Sequence, residues 1–476
     1  VTARKRRKRA LLAVGAGAVA VVTSIASGGA PDRGVAAQSA PQRRLRTELP
    51  SGMLLLVEEN HDLPLVEVQI TLRTGSAHDP EDMVGLARTT ARMVRMGTRR
   101  MRAPEVEEAI DALGGSLGIE TAPSYTRFSG SVIKRNVGPF LALVGQLLAQ
   151  PAMRAADLEQ VRREALADLV ELRDNDRALG ARELRRALFG DHPYGRPVLG
   201  TQRSLQALDR AAVVAHWQRH YVASNVVLGV AGDVTPDEAR ALVERHFAGL
   251  PTGERPRDEV PAPRIPRGRR VVIVDKPART QTQIYIGTLG TLARDPDHVP
   301  LVVANTVFGG TFTARLMREI RTVRGWSYGA SSRLGLDRRR ELWMMHTFPA
   351  AADTVACVAL QLEMLEALVA RGITREELAF AQDYLAKSYA FEIDTASKRL
   401  DQRIDVEVFG LPRDYYARHV ERVRAVRREE ANAALRARLS TDDVAIVVVA
   451  TASEVRDGLA ALPGVASVEV VPYDRD

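Results

Sequence analysis

Residues 225–234 read NVVLGVAGDV, and residues 444–452 read VAIVVVATA. Each run is apolar and strand-like, and each gives way to a helical pattern, near Pro236 in the first case and Ser453 in the second. Val226 and Val444, their corresponding positions, stand 218 residues apart. A second pair of segments repeats at almost the same interval. Ala77-His78-Asp79-Pro80 and Ala293-Arg294-Asp295-Pro296 lie 216 residues apart, and each precedes an apolar helical run. Each also follows a strand-like stretch, Leu65–Leu72 in the first case and Thr282–Ile286 in the second. Two independent matches at nearly one interval indicate a tandem duplication.

Between the copies, Pro251, Pro256, Pro261, Pro263 and Pro266 punctuate a stretch with little apolar periodicity, which reads as an extended linker. The expected domains are therefore residues 42–252 and 268–473, joined by a linker at 253–267. Within each copy the order is strands, long helices, then a strand and a helix. Leu54–Val57 and the alternating Val66-Val68-Ile70-Leu72 are strands. Pro104 with Glu105, Glu107 and Glu108 marks a helix start. Asp157–Leu172 and Asp176–Phe189 are amphipathic helices. Strands and helices grouped in runs, without strict alternation, predict an α+β architecture.

The formal net charge of +8 is concentrated at one end. Arg4, Lys5, Arg6, Arg7, Lys8 and Arg9 supply six of the positives, which leaves the remainder of the chain at +2. No basic stripe survives that subtraction, so a nucleic-acid partner is not expected. The basic cluster runs into the uncharged Ala/Val-rich stretch 10–26 and then into small residues. This is the pattern of a secretory signal or, uncleaved, of an N-terminal membrane anchor over residues 1–40. A secreted or periplasmic location follows, with membrane contact only through such an anchor. The single cysteine, Cys357, lies in an Ala/Val/Leu helical pattern. It has no partner for a disulfide or a thiolate metal site, and is expected to be buried and inert.

From residue 45 onward the chain resembles the pitrilysin/insulinase (M16) metallopeptidase family. The resemblance rests on Gly75-Ser76, Gly85-Leu86-Ala87, Met93 and Met96-Gly97-Thr98, then Asp191–Pro197 and Gly200-Thr201, then Asn225 and Gly232-Asp233. In the second copy it rests on Arg315-Leu316, Glu319-Ile320-Arg321, Arg324-Gly325 and Ser327-Tyr328. It implies two tandem homologous α/β sandwich domains forming half of a clam shell. The family's catalytic motif is H-x-x-E-H: two imidazoles on one helical face hold Zn²⁺, and the glutamate is the general base. The aligned segment here is Arg88-Thr89-Thr90-Ala91-Arg92. Guanidinium groups offer no lone pair, and Ala91 cannot take a proton. The third ligand position falls at Asp168, with Glu171 close by. No metal site and no catalytic residue are expected in this chain alone, and zinc only in a partner.

The resemblance also implies a retained feature. In active members an Arg and a Tyr seven residues apart reach toward the catalytic site from the second domain. Arg321 and Tyr328 keep that spacing. Read without the resemblance, they would be a helix-end cation and a core aromatic. Together these readings predict a substrate-binding subunit of a heterodimeric zinc peptidase. It would pair with an H-x-x-E-H subunit and hold a peptide partly by strand addition at Ser116–Thr121 or Arg127–Ile133. The alternative is a scaffold protein with no proteolytic role. Phe308-Gly309-Gly310-Thr311-Phe312 reads as a helix-to-helix turn. His216 and His220 sit one helical turn apart without a third ligand, and His192 lies in a loop before Pro193. No nucleophile motif appears.

Overall fold

A computed structural model describes residues 43–476; the basic and apolar signal-like segment lies outside the described residues. Two six-stranded sheets organise the chain. The first contains β1 (Arg44–Glu48), β2 (Leu54–Glu59), β3 (Leu65–Leu72), β4 (Ser116–Thr121), β5 (Thr126–Ile133) and β6 (Val226–Gly232), in the order β1-β2-β6-β3-β5-β4. The second contains β7 (Arg269–Asp275), β8 (Gln283–Leu289), β9 (Ala330–Leu334), β10 (Leu342–Thr347), β11 (Ala445–Ala450) and β12 (Val465–Pro472), in the order β12-β7-β11-β8-β10-β9. Five strands correspond one to one in position and direction. Ile70 faces Leu228 in the first sheet, and Ile286 faces Ile446 in the second. The outer strand breaks the symmetry: β1 pairs antiparallel to β2, whereas β12 pairs parallel to β7.

Both central strands are buried along their whole length, β6 except at its last residue. A strand buried on both faces reads as an unbroken apolar run because neither set of side chains meets water. Each sheet therefore needs two covers. One comes from helices of its own half: Phe140, Leu141 and Val144 of the Val137–Ala149 helix pack with Val68 and Ile70. The other cover is exchanged. The Asp176–Phe189 helix of the first half lays Leu184 and Leu188 on Val447 and Val449 of the second sheet. The Ala396–Phe409 helix of the second half lays Leu400 and Ile404 on Leu56 and Val227 of the first. Gly180-Leu184-Leu188 and Ala396-Leu400-Ile404 are the same i, i+4, i+8 stripe, again 216 residues apart.

Close approach makes two glycines necessary. A Cβ on Gly229 of β6 would sit 2.9 Å from Leu400 and Ile404, and one on Gly180 would sit 2.6 Å from the Tyr285 ring. Polar ties join the same surfaces. Glu58, fully buried, takes Arg399 at 2.8 Å and Arg403 at 3.1 Å from the exchanged helix. Lys276 of the second half reaches Asp176 at 2.6 Å. The Asp191–Pro197 stretch has a structural purpose as well: the buried Tyr194 phenol donates to Asp337 of the second half at 2.9 Å. Residues 43–476 consequently belong to one compact unit.

The Pro-rich connection, residues 251–267, has no helix or strand, as its composition suggests, but it is tied down. His192 donates to the Pro261 carbonyl at 2.9 Å, and Arg339 to that of Val260 at 2.7 Å. Asp258 pairs with Arg338 and Arg339. Of the two candidate strands for peptide addition, β4 lies at one edge of its sheet and β5 is internal. Cys357 is buried, and burial pushes its thiol up to about 12. Phe308–Gly310 forms the end of a wide helical turn between the helices His298–Asn305 and Arg315–Met317. Among the described residues no helix is long and apolar enough to cross a membrane.

Leu184→Ala and Leu400→Ala are each expected to cost about 2–5 kcal/mol. The readout is a lower urea midpoint with an unchanged slope; a midpoint equal to the parent's in both variants would contradict the exchanged-helix packing.

Candidate functional site

The helix Leu86–Arg95 carries the first group of candidate residues. Its start is fixed by a buried carboxylate: Asp79 accepts from the Gly85 and Ala87 amides, both at 2.8 Å. Gly85 has φ +94°, and a Cβ there would lie 2.9 Å from the Gly200 Cα. This contact explains why Gly85-Leu86-Ala87 and Gly200-Thr201 occur together. Ala87, Ala91 and Val94 point into the core, and Ala91 is fully buried. Arg88, Arg92 and Arg95 fall on the open face at i, i+4 and i+7.

Across from them runs the helix Ala155–Asp174. Arg88 donates to Asp168 Oδ2 at 2.9 Å, and Arg92 donates to the same oxygen at 3.2 Å. The other arm of Arg92 pairs with Glu164, one turn earlier. Arg95 pairs with Glu107 at 2.9 Å. Burial lowers the Arg88 pKa, Arg92 beside it lowers it further, and Asp168 opposes both. Glu171 is exposed and makes no ion pair among the described residues, so Asp168 is the carboxylate that faces the arginines. A cavity of about 260 Å³ opens here against the edge strand β4, lined by Arg88, Arg92, Glu164, Ile119 and Thr121.

The chemistry of this cluster is that of a salt-bridge network. Two guanidinium groups occupy one side and supply donors only, and they already engage the carboxylates opposite. A dication would have to displace both arginines from Asp168. The residues present therefore do not fit zinc. Among the described residues, no group of three or more His, Cys, Asp or Glu is placed to hold a metal ion. His216 and His220 are buried with ring centroids 4.4 Å apart, and His78 lies 6.3 Å from His220. Burial lowers both, His220 to about 3, so these rings are neutral packing groups.

Arg321 and Tyr328 occupy a different surface. Arg321 lies in the wide helical turn Arg318–Val323 and is exposed. Its guanidinium sits 4.6 Å from the centroid of the Phe312 ring, a cation–π contact, and it makes no ion pair among the described residues. Gly325, with φ +67°, lets the chain turn, and the Ser327 hydroxyl bonds the Gly329 carbonyl at 2.9 Å. Tyr328 between them is 83% exposed. It is not a core aromatic. No hydrogen bond or ion pair joins this pair to Arg88, Arg92 or Asp168 among the described residues. Sequence reasoning missed Glu164 and Phe312. The first is one turn from Asp168 on the same helix face; the second stands in the Gly-Gly turn, and only the fold brings it under Arg321.

Models of protein families match two segments: residues 54–202 match one described as insulinase (peptidase family M16), and residues 207–385 match the peptidase M16 inactive domain. The chain is 30% identical over 352 residues to an uncharacterized zinc protease of Mycobacterium leprae, covering 71% of this chain and 77% of that one. It is 22% identical over 396 residues to a non-peptidase homolog of Helicobacter pylori, covering 83% of this chain and 91% of that one. Among solved structures, the peptidase M16 inactive domain from Pseudomonas fluorescens superposes with a TM-score of 0.79 at 23% identity, over 90% of this chain and 99% of that one.

Elemental analysis after dialysis against free zinc is expected to find no retained metal in the parent chain. The variant Arg88→His, Ala91→Glu, Arg92→His, Asp168→Glu is expected to retain about one zinc per chain. Stoichiometric zinc in the parent would contradict the salt-bridge reading.

Proposed function

The chain belongs to the M16 peptidase family, and from that membership we propose that it is the non-catalytic, substrate-binding subunit of a heterodimeric zinc peptidase. It is an M16-like protein of the inactive type: its helix Leu86–Arg95 carries arginine at both positions where the family has zinc-binding histidines. The observation that carries the proposal is the contrast between two surfaces. The Arg88/Arg92–Asp168/Glu164 cluster is neutralised within the chain. Arg321 and Tyr328 are exposed, with neither a carboxylate nor a core to account for them.

In this reading the H-x-x-E-H partner supplies zinc, activated water and general base. This chain supplies Arg321 and Tyr328. The guanidinium presents planar N–H donors to a substrate carbonyl and is held in place by Phe312 beneath it. The phenol donates to the oxygen on which negative charge develops, where a fixed donor in a water-poor site counts most. Peptide adds as a strand to β4, one edge of the first sheet. The chain acts outside the cytoplasm, in keeping with the basic and apolar pattern of its first forty residues, and needs no nucleic acid. Zinc enters only with the partner.

Purified together with an H-x-x-E-H homologue, the chain should confer hydrolysis of a quenched fluorescent peptide. Arg321→Ala and Tyr328→Phe should each lower kcat about 100- to 1,000-fold with little change in KM. Equal activity in both variants would remove the Arg321/Tyr328 role, and no hydrolysis in any mixture would leave the scaffold reading in its place.

A further inference from the structure

A second cavity, of about 300 Å³, lies beside β9, one edge of the second sheet. Its floor is aromatic: the Tyr285 and His346 rings stack with centroids 4.4 Å apart. Arg177, from the exchanged helix of the first half, and Arg333, from β9, line its walls with Ser331 and Met344. In the β9–β10 register Ser331 stands opposite His346, and Arg333 opposite Met344. All four side chains therefore belong to one face of the sheet.

The cavity carries positive charge with no carboxylate in its lining. At the first sheet, Arg88, Arg92 and Arg95 each meet a carboxylate. Around Glu58, Arg44, Arg399 and Arg403 share one. Here no carboxylate lines the cavity, and neither Arg177 nor Arg333 makes an ion pair among the described residues. His346 adds no charge at neutral pH. Burial first, and then the two arginines, lower it to about 4, and its Nε2 lies 3.0 Å from the Gln283 side-chain oxygen. Two guanidinium groups from two halves of the chain thus converge on a small cavity with hydroxyl and aromatic walls. That arrangement matches a carboxylate, which accepts charge-assisted hydrogen bonds from both.

We propose that this cavity is a subsite for a peptide carboxylate, so that the chain selects substrates carrying an acidic residue or a free C-terminus at that place. The proposal rests on the peptide-binding reading given above and narrows its substrate class. The shared chemistry is the carboxylate; the experiment separates its two sources.

Three fluorescein-labelled decapeptides of one sequence serve as probes of the intact chain by fluorescence anisotropy. One carries two central Glu residues and an amidated C-terminus. The second replaces both Glu by Gln and is amidated. The third carries the Gln residues and a free C-terminus. Binding of the first or the third is expected to be at least about 10-fold tighter than that of the second, and whichever gains identifies the source. Arg177→Gln and Arg333→Gln should each remove most of that gain and leave the affinity for the second peptide unchanged. Both side chains are exposed, so these variants keep the fold. Equal affinity for all three peptides, binding of none, or a preference that survives in the double variant would overturn the proposal. The preference should persist in Arg321→Ala. Carboxylate preference without Arg321-dependent hydrolysis in the mixture would sink the subunit reading alone, and hydrolysis without the preference would sink the subsite alone.

Discussion

The central strands of each sheet are apolar on both faces, and neither half of the chain covers both faces of its own central strands. That constraint organises the rest. A strand such as β6 or β11 is stable only when side chains on both faces are out of water, at roughly 1.5–3 kcal/mol for each fully buried Val, Leu or Ile. Helices of the same half close one face. On the other face a helix from the opposite half packs, reciprocally, through Leu184 and Leu188 in one direction and Leu400 and Ile404 in the other. Neither half is therefore a free-standing module. The Glu58–Arg399–Arg403 and Tyr194–Ser124–Asp337 contacts fix the register of the exchange.

The exchange also decides where chemistry is available. The helix Leu86–Arg95 is clamped by the Asp79 cap, the Gly85–Gly200 contact and an apolar face. Only its arginine face is open. On that face Arg88 and Arg92 are compensated by Asp168 and Glu164, so the cluster carries structure. Arg321 and Tyr328 lie on a turn that the fold holds out of the core, with Phe312 as the nearest support of the guanidinium. A chain built this way presents an exposed arginine–tyrosine pair and an uncovered strand edge.

Much of this was legible in the sequence. The duplication, the strand runs at 225–234 and 444–452, the helices at 157–172 and 176–189 and the arginines at 88 and 92 are local patterns, and each has a local cause. The helix exchange was not legible, although Gly180-Leu184-Leu188 and Ala396-Leu400-Ile404 stand at the duplication interval. An apolar stripe records that a helix is covered and not which sheet covers it. Tyr328 illustrates the same limit: its residue type fits a core as well as a surface, and only the Gly325 turn and the Ser327 contact place it outside. The Pro-rich stretch reads as a spacer because its anchors, His192, Arg338 and Arg339, are distant in sequence. The pairing of Arg177 with Arg333 across the two halves is invisible for that reason too.

The central claim is that this chain completes a site whose metal belongs to another subunit. Photo-cross-linking tests it most directly: p-benzoylphenylalanine is placed at position 328 in the complex with an H-x-x-E-H homologue, and the adduct is mapped by mass spectrometry. The account predicts an adduct on the partner's zinc-binding helix or the residues flanking it. Adducts confined to this chain, or to partner surfaces remote from that helix, would contradict it.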